Sequence, residues 1–125
     1  MFRKPVLLFI KLLALFFPYA VQGQEMKSKE VQLQELNDSA KSYWNTDPKL
    51  AGEFAAKALV IAKELKNTNA EYNAVYSLGV SAFYQSDFPE ALRQFLEALD
   101  LAKKMKNDTL IAGSYNSIGN IYNNI

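Results

Sequence analysis

The 125-residue chain contains no histidine and no cysteine. It therefore has no imidazole to act as a general base, no thiolate nucleophile and no disulfide framework. The usual zinc ligands are missing for the same reason, and no glycine-rich phosphate-binding loop is present. These absences predict a segment with no catalytic residues, no cofactor and no metal site.

Carboxylates are the remaining groups that could do acid–base chemistry. On amphipathic helices, acidic residues interleaved with lysines more often form a solvated face. An enzyme is therefore the least favoured of three function classes. The carboxylates that could pair as acid and base are Glu53, Glu64, Glu71, Glu90 and Glu97.

Residues 1–23 differ in composition from the rest of the chain. A basic start at Arg3 and Lys4 is followed by an apolar run over 6–17, and short residues precede Gln24. This order of basic, apolar and small residues is typical of a secretory signal peptide, with cleavage predicted before Gln24. The sequence thus predicts an exported protein, either periplasmic or tethered to the membrane and facing the periplasm.

A retained membrane anchor is the alternative for this segment. Lys11 and Pro18 interrupt the apolar run before it reaches the 18 or more residues that a spanning helix requires. Cleavage would leave 102 residues (125 − 23) and remove three of the 14 basic residues, so 11 basic and 13 acidic residues give a net charge of −2. This balance offers no basic surface for nucleic acid. Residues 24–30 are predicted to be a flexible lead-in.

An internal repeat organises the remainder of the chain. Residues 70–106 contain two amphipathic patterns at three-to-four spacing, which predict two consecutive helices. The mid-helix Gly79 indicates a close contact with a neighbouring helix, which we expect to be the alanine row on the second helix. A shift of 40 residues aligns Asp87 with Asp47, Ala91 with Ala51, Ala98 with Ala58, Leu99 with Leu59, Ala102 with Ala62, Asn107 with Asn67 and Gly119 with Gly79.

Capping residues at regular positions divide the repeat into helices. Asp47 and Asp87 each precede a helix with proline in its first turn, while Thr68 and Asp108 occupy equivalent positions before the other helices. Thr68 and Glu71 have the spacing of a capping box. Short turns between helices make successive helices antiparallel neighbours. The sequence therefore predicts an all-α fold of five helices without a sheet.

The pattern of small and aromatic residues resembles the tetratricopeptide repeat (TPR). Two copies carry it clearly, whereas the first copy is degenerate, and the period of 40 exceeds the usual repeat of about 34 residues. The resemblance implies a TPR-type α-solenoid with a degenerate repeat at 31–67, a second at 68–107 and the first helix of a third at 108–125. The residues it assigns to repeat packing are Ala40, Ala51, Ala58, Leu78, Gly79, Ala91, Phe95, Ala98, Tyr115, Ile118, Gly119 and Tyr122.

The resemblance also implies a function. TPR arrays are non-catalytic scaffolds that bind proteins or peptides, and long repeats behind a signal peptide are similar to the exported N-terminal region of Bacteroidetes TPR sensor histidine kinases and regulators. The alternative is a free periplasmic adaptor for envelope assembly.

In such arrays the first helix of each pair lines the inner surface. Asparagine amides suit the backbone of an extended peptide, and aromatic rings offer rigid contact area. The other interpretation is that these aromatic residues pack between helices and the asparagines are simply exposed. The ligand surface carried over from the resemblance is Gln34, Asn37, Lys41, Trp44, Asn73, Tyr76, Val80, Phe83, Tyr84, Asn116, Asn120, Asn123 and Asn124.

The predicted fifth helix presents an apolar stripe that includes Tyr115, Ile118 and Tyr122. A repeat array buries such stripes by stacking, so a stripe left in water forms an unusually large apolar patch. We therefore expect either that the reading frame continues with a covering helix or that this helix self-associates.

Overall fold

The computed structural model describes residues 28–125. Within this range it contains five α-helices and no strand, which confirms the predicted all-α fold. The predicted signal peptide and residues 24–27 of the predicted lead-in lie outside the described residues. Residues 28–30 are helical, so the prediction of a flexible lead-in is wrong there. The helices are α1 (28–42), α2 (Pro48–Glu64), α3 (Thr68–Tyr84), α4 (Phe88–Lys104) and α5 (Asp108–Asn124).

Helices α2 to α5 are unusually uniform. Each is 17 residues long, and their first residues are spaced 20 apart. The 40-residue period of the sequence therefore corresponds to two helices and two three-residue turns. Within residues 32–125, which form one compact unit, α2 packs on α3, α3 on α4 and α4 on α5.

An asparagine or aspartate caps each of these four helices. The side chain of Asp47 accepts a hydrogen bond from the Leu50 amide at 3.1 Å, and that of Asn67 accepts one from Ala70 at 3.0 Å. The predicted caps at Thr68 and Asp108 are one residue too late, because the preceding asparagines occupy the cap position instead. The equivalent bonds at the other two helices run from Glu90 to Asp87 (3.3 Å) and from Leu110 to Asn107 (3.2 Å).

The three turns after α2, α3 and α4 share one backbone conformation. Lys66, Ser86 and Lys106 have φ angles of 52°, 61° and 52°. In each turn the following amide bonds a carbonyl five residues back, as from Asn67 to Ala62 at 3.0 Å. This is the Schellman arrangement, which usually places glycine at the left-handed position. None of the three residues is glycine.

Alanines allow the helices to approach closely. Four alanines of α2 are fully buried, and Ala91, Ala98 and Ala102 of α4 are buried as well. Of the residues assigned to repeat packing, those of the first two copies lie in the interior, with Leu78 half-buried. The buried ones are Ala40, Ala51, Ala58, Gly79, Ala91, Phe95 and Ala98.

Gly79 is a point of close approach between α3 and α4. A Cβ atom at this position would lie 2.7 Å from two ring carbons of Phe95, which is only 2 % exposed. The expectation that Gly79 faces the alanine row is therefore wrong, because its missing Cβ makes room for an aromatic ring.

The packing residues of the third copy are placed differently from their counterparts. Tyr115 and Tyr122 are 52 % and 62 % exposed, and a Cβ at Gly119 would meet no atom within 4 Å. The packing role of these three residues therefore stays a prediction. Ile118 is half-buried against the core. None of the helices in the described range is sufficiently long and apolar to span a membrane.

Candidate functional site

A cavity of about 220 Å³ opens beside α3. Its wall combines aromatic rings with a few uncharged polar groups and contains no charged side chain. We call it the aromatic cavity. Its lining residues are Trp44, Tyr76, Val80, Phe83, Tyr84, Phe95, Ser117 and Asn120.

The repeat brings these side chains together from four parts of the chain. Tyr76, Val80 and Phe83 follow one another at spacings of four and three, so they share one face of α3. Trp44 lies in the turn between α1 and α2, and Asn120 lies on α5. The cavity therefore depends on the packing of successive repeats.

Tyr76 lies at the centre of the aromatic wall. Its ring centroid is 5.8 Å from that of Trp44 and 5.2 Å from that of Phe95, with tilted ring planes. Tyr72 also stacks against Tyr76, with ring centroids 5.7 Å apart. Tilted and stacked aromatic pairs stabilise a fold by more than the burial of their apolar area alone. The wall is consequently held in place before any ligand arrives.

Hydroxyl groups connect α3 directly to α5. The hydroxyl of Tyr76 lies 2.7 Å from Ser117 Oγ. Because Ser117 donates its own proton to the carbonyl of Gly113 at 3.2 Å, Tyr76 is the donor in this pair. The Tyr72 hydroxyl lies 3.3 Å from Ser114 Oγ, and burial raises the pKa of Tyr72. These bonds fix the spacing between the two helices that flank the cavity.

Two groups of the wall retain binding capacity. The indole Nε1 of Trp44 is buried and has no hydrogen-bond acceptor in the part of the chain that the structure describes. Asn120 is exposed at the α5 side of the cavity and carries an amide that both donates and accepts. The site can thus surround an apolar group and form hydrogen bonds at its edge.

Seven residues of the predicted ligand surface do not line this cavity. Asn37 is buried and donates to the carbonyl oxygen of Ala70 at 3.4 Å, which places it in a contact between α1 and α3. The other six are exposed or half-buried elsewhere on the surface: Gln34, Lys41, Asn73, Asn116, Asn123 and Asn124.

Six residues of the predicted surface do line the cavity: Trp44, Tyr76, Val80, Phe83, Tyr84 and Asn120. Sequence reasoning did not include two of its lining residues. Phe95 is predicted only as a repeat-packing residue, and Ser117 is not among the predicted residues. The 40-residue register would have indicated Ser117, since Tyr76 and Ser117 occupy neighbouring positions of successive repeats.

Among the candidate acids, Glu90 has a well-defined environment. It forms a bidentate contact with Arg93, with distances of 2.6 and 2.9 Å, and Gln94 donates to it at 2.9 Å. These hydrogen bonds, Arg93 first, lower the pKa of Glu90 from 4.5 to about 2. A general acid requires a raised pKa, so Glu90 is poorly suited to that role. Within residues 28–125 no group of acidic residues is arranged to hold a metal ion.

Comparison with known proteins identifies the fold. No model of a protein family and no curated protein sequence matches the chain. Among solved structures, the chain is similar to the TPR domain of Arabidopsis FLU, with a TM-score of 0.71 and 27 % sequence identity. The match covers 76 % of this chain and 81 % of the FLU domain. The fold is therefore a TPR-type α-solenoid, as the sequence resemblance implied.

Proposed function

We propose that the chain is a non-catalytic scaffold that binds a protein or peptide partner in the aromatic cavity. A TPR-type fold supports protein interaction in general. The observation that carries the specific proposal is the convergence of five aromatic residues, from α3 and from the segments packed beside it, on one uncharged cavity.

The dimensions of the cavity favour a peptide side chain as its occupant. Pockets for small molecules usually measure roughly 300–1,000 Å³, whereas this one measures about 220 Å³. An apolar side chain inserted between Tyr76 and Phe83 would bury its surface against rings that lose little conformational entropy. The amide of Asn120 would then bond the peptide backbone beside that side chain.

The proposal is tested by selecting binding peptides from a displayed random library on the full chain. Because no charged residue lines the cavity, we expect an apolar anchor without a required charge, and binding that changes little between low and moderate salt. Tyr84→Ala and Asn120→Ala should weaken binding at least tenfold with an unchanged melting temperature, since both residues are exposed.

Asn73→Ala and Asn123→Ala are the matched controls, because both asparagines belong to the predicted surface but lie outside the cavity. The proposal is wrong if the selected peptides require an acidic or C-terminal anchor, or if the control variants weaken binding as much as the cavity variants.

We further propose that this scaffold is the sensory N-terminal part of a longer signal-transduction protein, a histidine kinase or a transcriptional regulator. The support is the resemblance of its long repeats and basic–apolar leader to exported TPR sensors. A free periplasmic adaptor is the alternative. Sequencing the transcript beyond codon 125 separates them, because only the sensor requires a membrane span and an output domain downstream.

A further inference from the structure

Aromatic rings make up most of the wall of the aromatic cavity, and no lining residue carries a formal charge. The aromatic members are Trp44, Tyr76, Phe83, Tyr84 and Phe95. An aromatic ring has a negative face and a positive edge, so it attracts a cation placed over its face. Because the wall contains no ammonium or guanidinium group to repel a cation, its electrostatic character suits a positively charged ligand.

The rings border the cavity at steep angles to one another. The plane of Tyr76 is tilted by 53° from that of Trp44 and by 55° from that of Phe95. Phe83 meets Tyr84 at 85°. Inclined rings enclose a common space from several directions, whereas parallel stacked rings would cover each other's faces. A cation in this space is therefore within reach of more than one ring.

The polar groups of the wall determine which kind of cation fits. The Tyr76 hydroxyl is paired with Ser117, and the buried Trp44 Nε1 is a donor, so the interior offers an ammonium group few hydrogen-bond acceptors. Lysine and arginine side chains would lose hydrogen bonds to water on entering, because their N–H donors require acceptors. A quaternary ammonium group has no N–H donor and enters without that cost.

We propose that the aromatic cavity binds a quaternary ammonium group, carried either by a free solute such as choline or by a trimethylated lysine in a peptide. The methyl groups of this cation present an apolar surface to the rings, and its charge interacts with their faces. The proposal concerns the same cavity as the proposed peptide function but does not require a peptide, because a free solute can occupy the cavity.

The volume of the cavity, about 220 Å³, accommodates this group. A water-sized group takes up roughly 30 Å³, so the nitrogen and methyl groups of a trimethylammonium need about 120 Å³. The remaining volume admits the first carbons of the chain that carries the cation.

The test compares choline with 3,3-dimethylbutan-1-ol, which has the same shape but carries carbon in place of the charged nitrogen. Each compound is titrated into the full chain by calorimetry and by Trp44 emission. We expect choline to bind at least tenfold more tightly and to change the emission of Trp44, which lines the cavity. A third titration uses a peptide containing trimethyllysine and its unmodified lysine counterpart.

Variants of Tyr84 separate the aromatic face from apolar area. Tyr84 is 52 % exposed, so its replacement should leave the melting temperature unchanged. We expect Tyr84→Leu to weaken choline binding at least fivefold without weakening the binding of dimethylbutanol, and Tyr84→Phe to retain it. Tyr115→Leu is the matched control, because Tyr115 is also 52 % exposed but lies outside the cavity.

Tighter binding of the trimethyllysine peptide than of choline would support the proposal with a peptide as the source of the cation, and the reverse order would support it with a free solute. Equal affinities for choline and dimethylbutanol, or no binding of choline, would overturn it. So would a loss of choline binding in Tyr115→Leu equal to that in Tyr84→Leu. Selected peptides with an uncharged apolar anchor that Tyr84→Ala weakens would still support the peptide function in each of these cases.

Discussion

Two glycines at equivalent repeat positions have opposite energetic roles. Gly79 lies beneath a buried ring, whereas Gly119 faces open space. An interior glycine costs a helix roughly 1 kcal/mol relative to alanine. Gly79 is therefore maintained by packing at the expense of helix propensity, while the same cost at Gly119 is not offset within residues 28–125.

We expect Gly79→Ala to lower the free energy of unfolding by about 1–2 kcal/mol, because overpacking against Phe95 outweighs the gain in helix propensity. Gly119→Ala, the matched control, should raise it by up to about 1 kcal/mol. Urea denaturation followed by circular dichroism measures both. Equal effects of the two substitutions would show that the Phe95 ring does not pack against Gly79.

The sequence identified Gly79 as a site of close helix contact but did not identify Phe95 as the residue that packs against it. An interior glycine in a periodic helix predicts a close approach, yet periodicity does not specify which side chain of the neighbouring helix points at it. Gly52 illustrates the same limit, because a Cβ there would lie 2.5 Å from Ser81 Oγ, which donates to the Pro48 carbonyl. The only indication of this close contact in the sequence is that Gly52 lies in the middle of a predicted helix.

Capping residues and turns determine the positions of the helices as much as their apolar faces do. Each of the caps from Asp47 to Asn107 fixes where a helix begins. Before α3, α4 and α5, a left-handed residue in the preceding turn also fixes the direction in which the chain enters the helix. The sequence predicted the helices and their period. It placed two caps one residue late, because asparagine followed by threonine or aspartate offers two adjacent residues with good capping propensity.

The turns contain strain that can be removed. Lys66 has a φ of 52°, which costs a residue with a Cβ roughly 1–2 kcal/mol. We expect Lys66→Gly to raise stability by about 0.5–1 kcal/mol, allowing for the greater entropy of glycine in the unfolded chain. Lys57→Gly makes the same substitution at an exposed site inside α2 and should lower stability by about 1 kcal/mol. Thermal melts of both variants would contradict this account if they shifted in the same direction.

At the scale of the whole molecule, stacking of repeats produces the candidate binding site. The aromatic cavity exists because Trp44, Tyr76 and Asn120 belong to consecutive repeats that pack together. The sequence predicted most of its lining through the TPR resemblance. It could not distinguish the exposed Asn120 from the buried Asn37, because both occupy polar positions on first helices and only packing determines which one reaches solvent.

Trp44 reports directly on peptide binding in the aromatic cavity, because it lines the cavity and is the only tryptophan of the chain. Titration of the full chain with a selected, tryptophan-free peptide should shift the Trp44 emission and protect it from acrylamide quenching. The change should saturate at the dissociation constant measured by calorimetry, and Asn120→Ala should move that constant at least tenfold. Calorimetric binding without any change in Trp44 emission or quenching would contradict the claim, because the peptide would then occupy another surface.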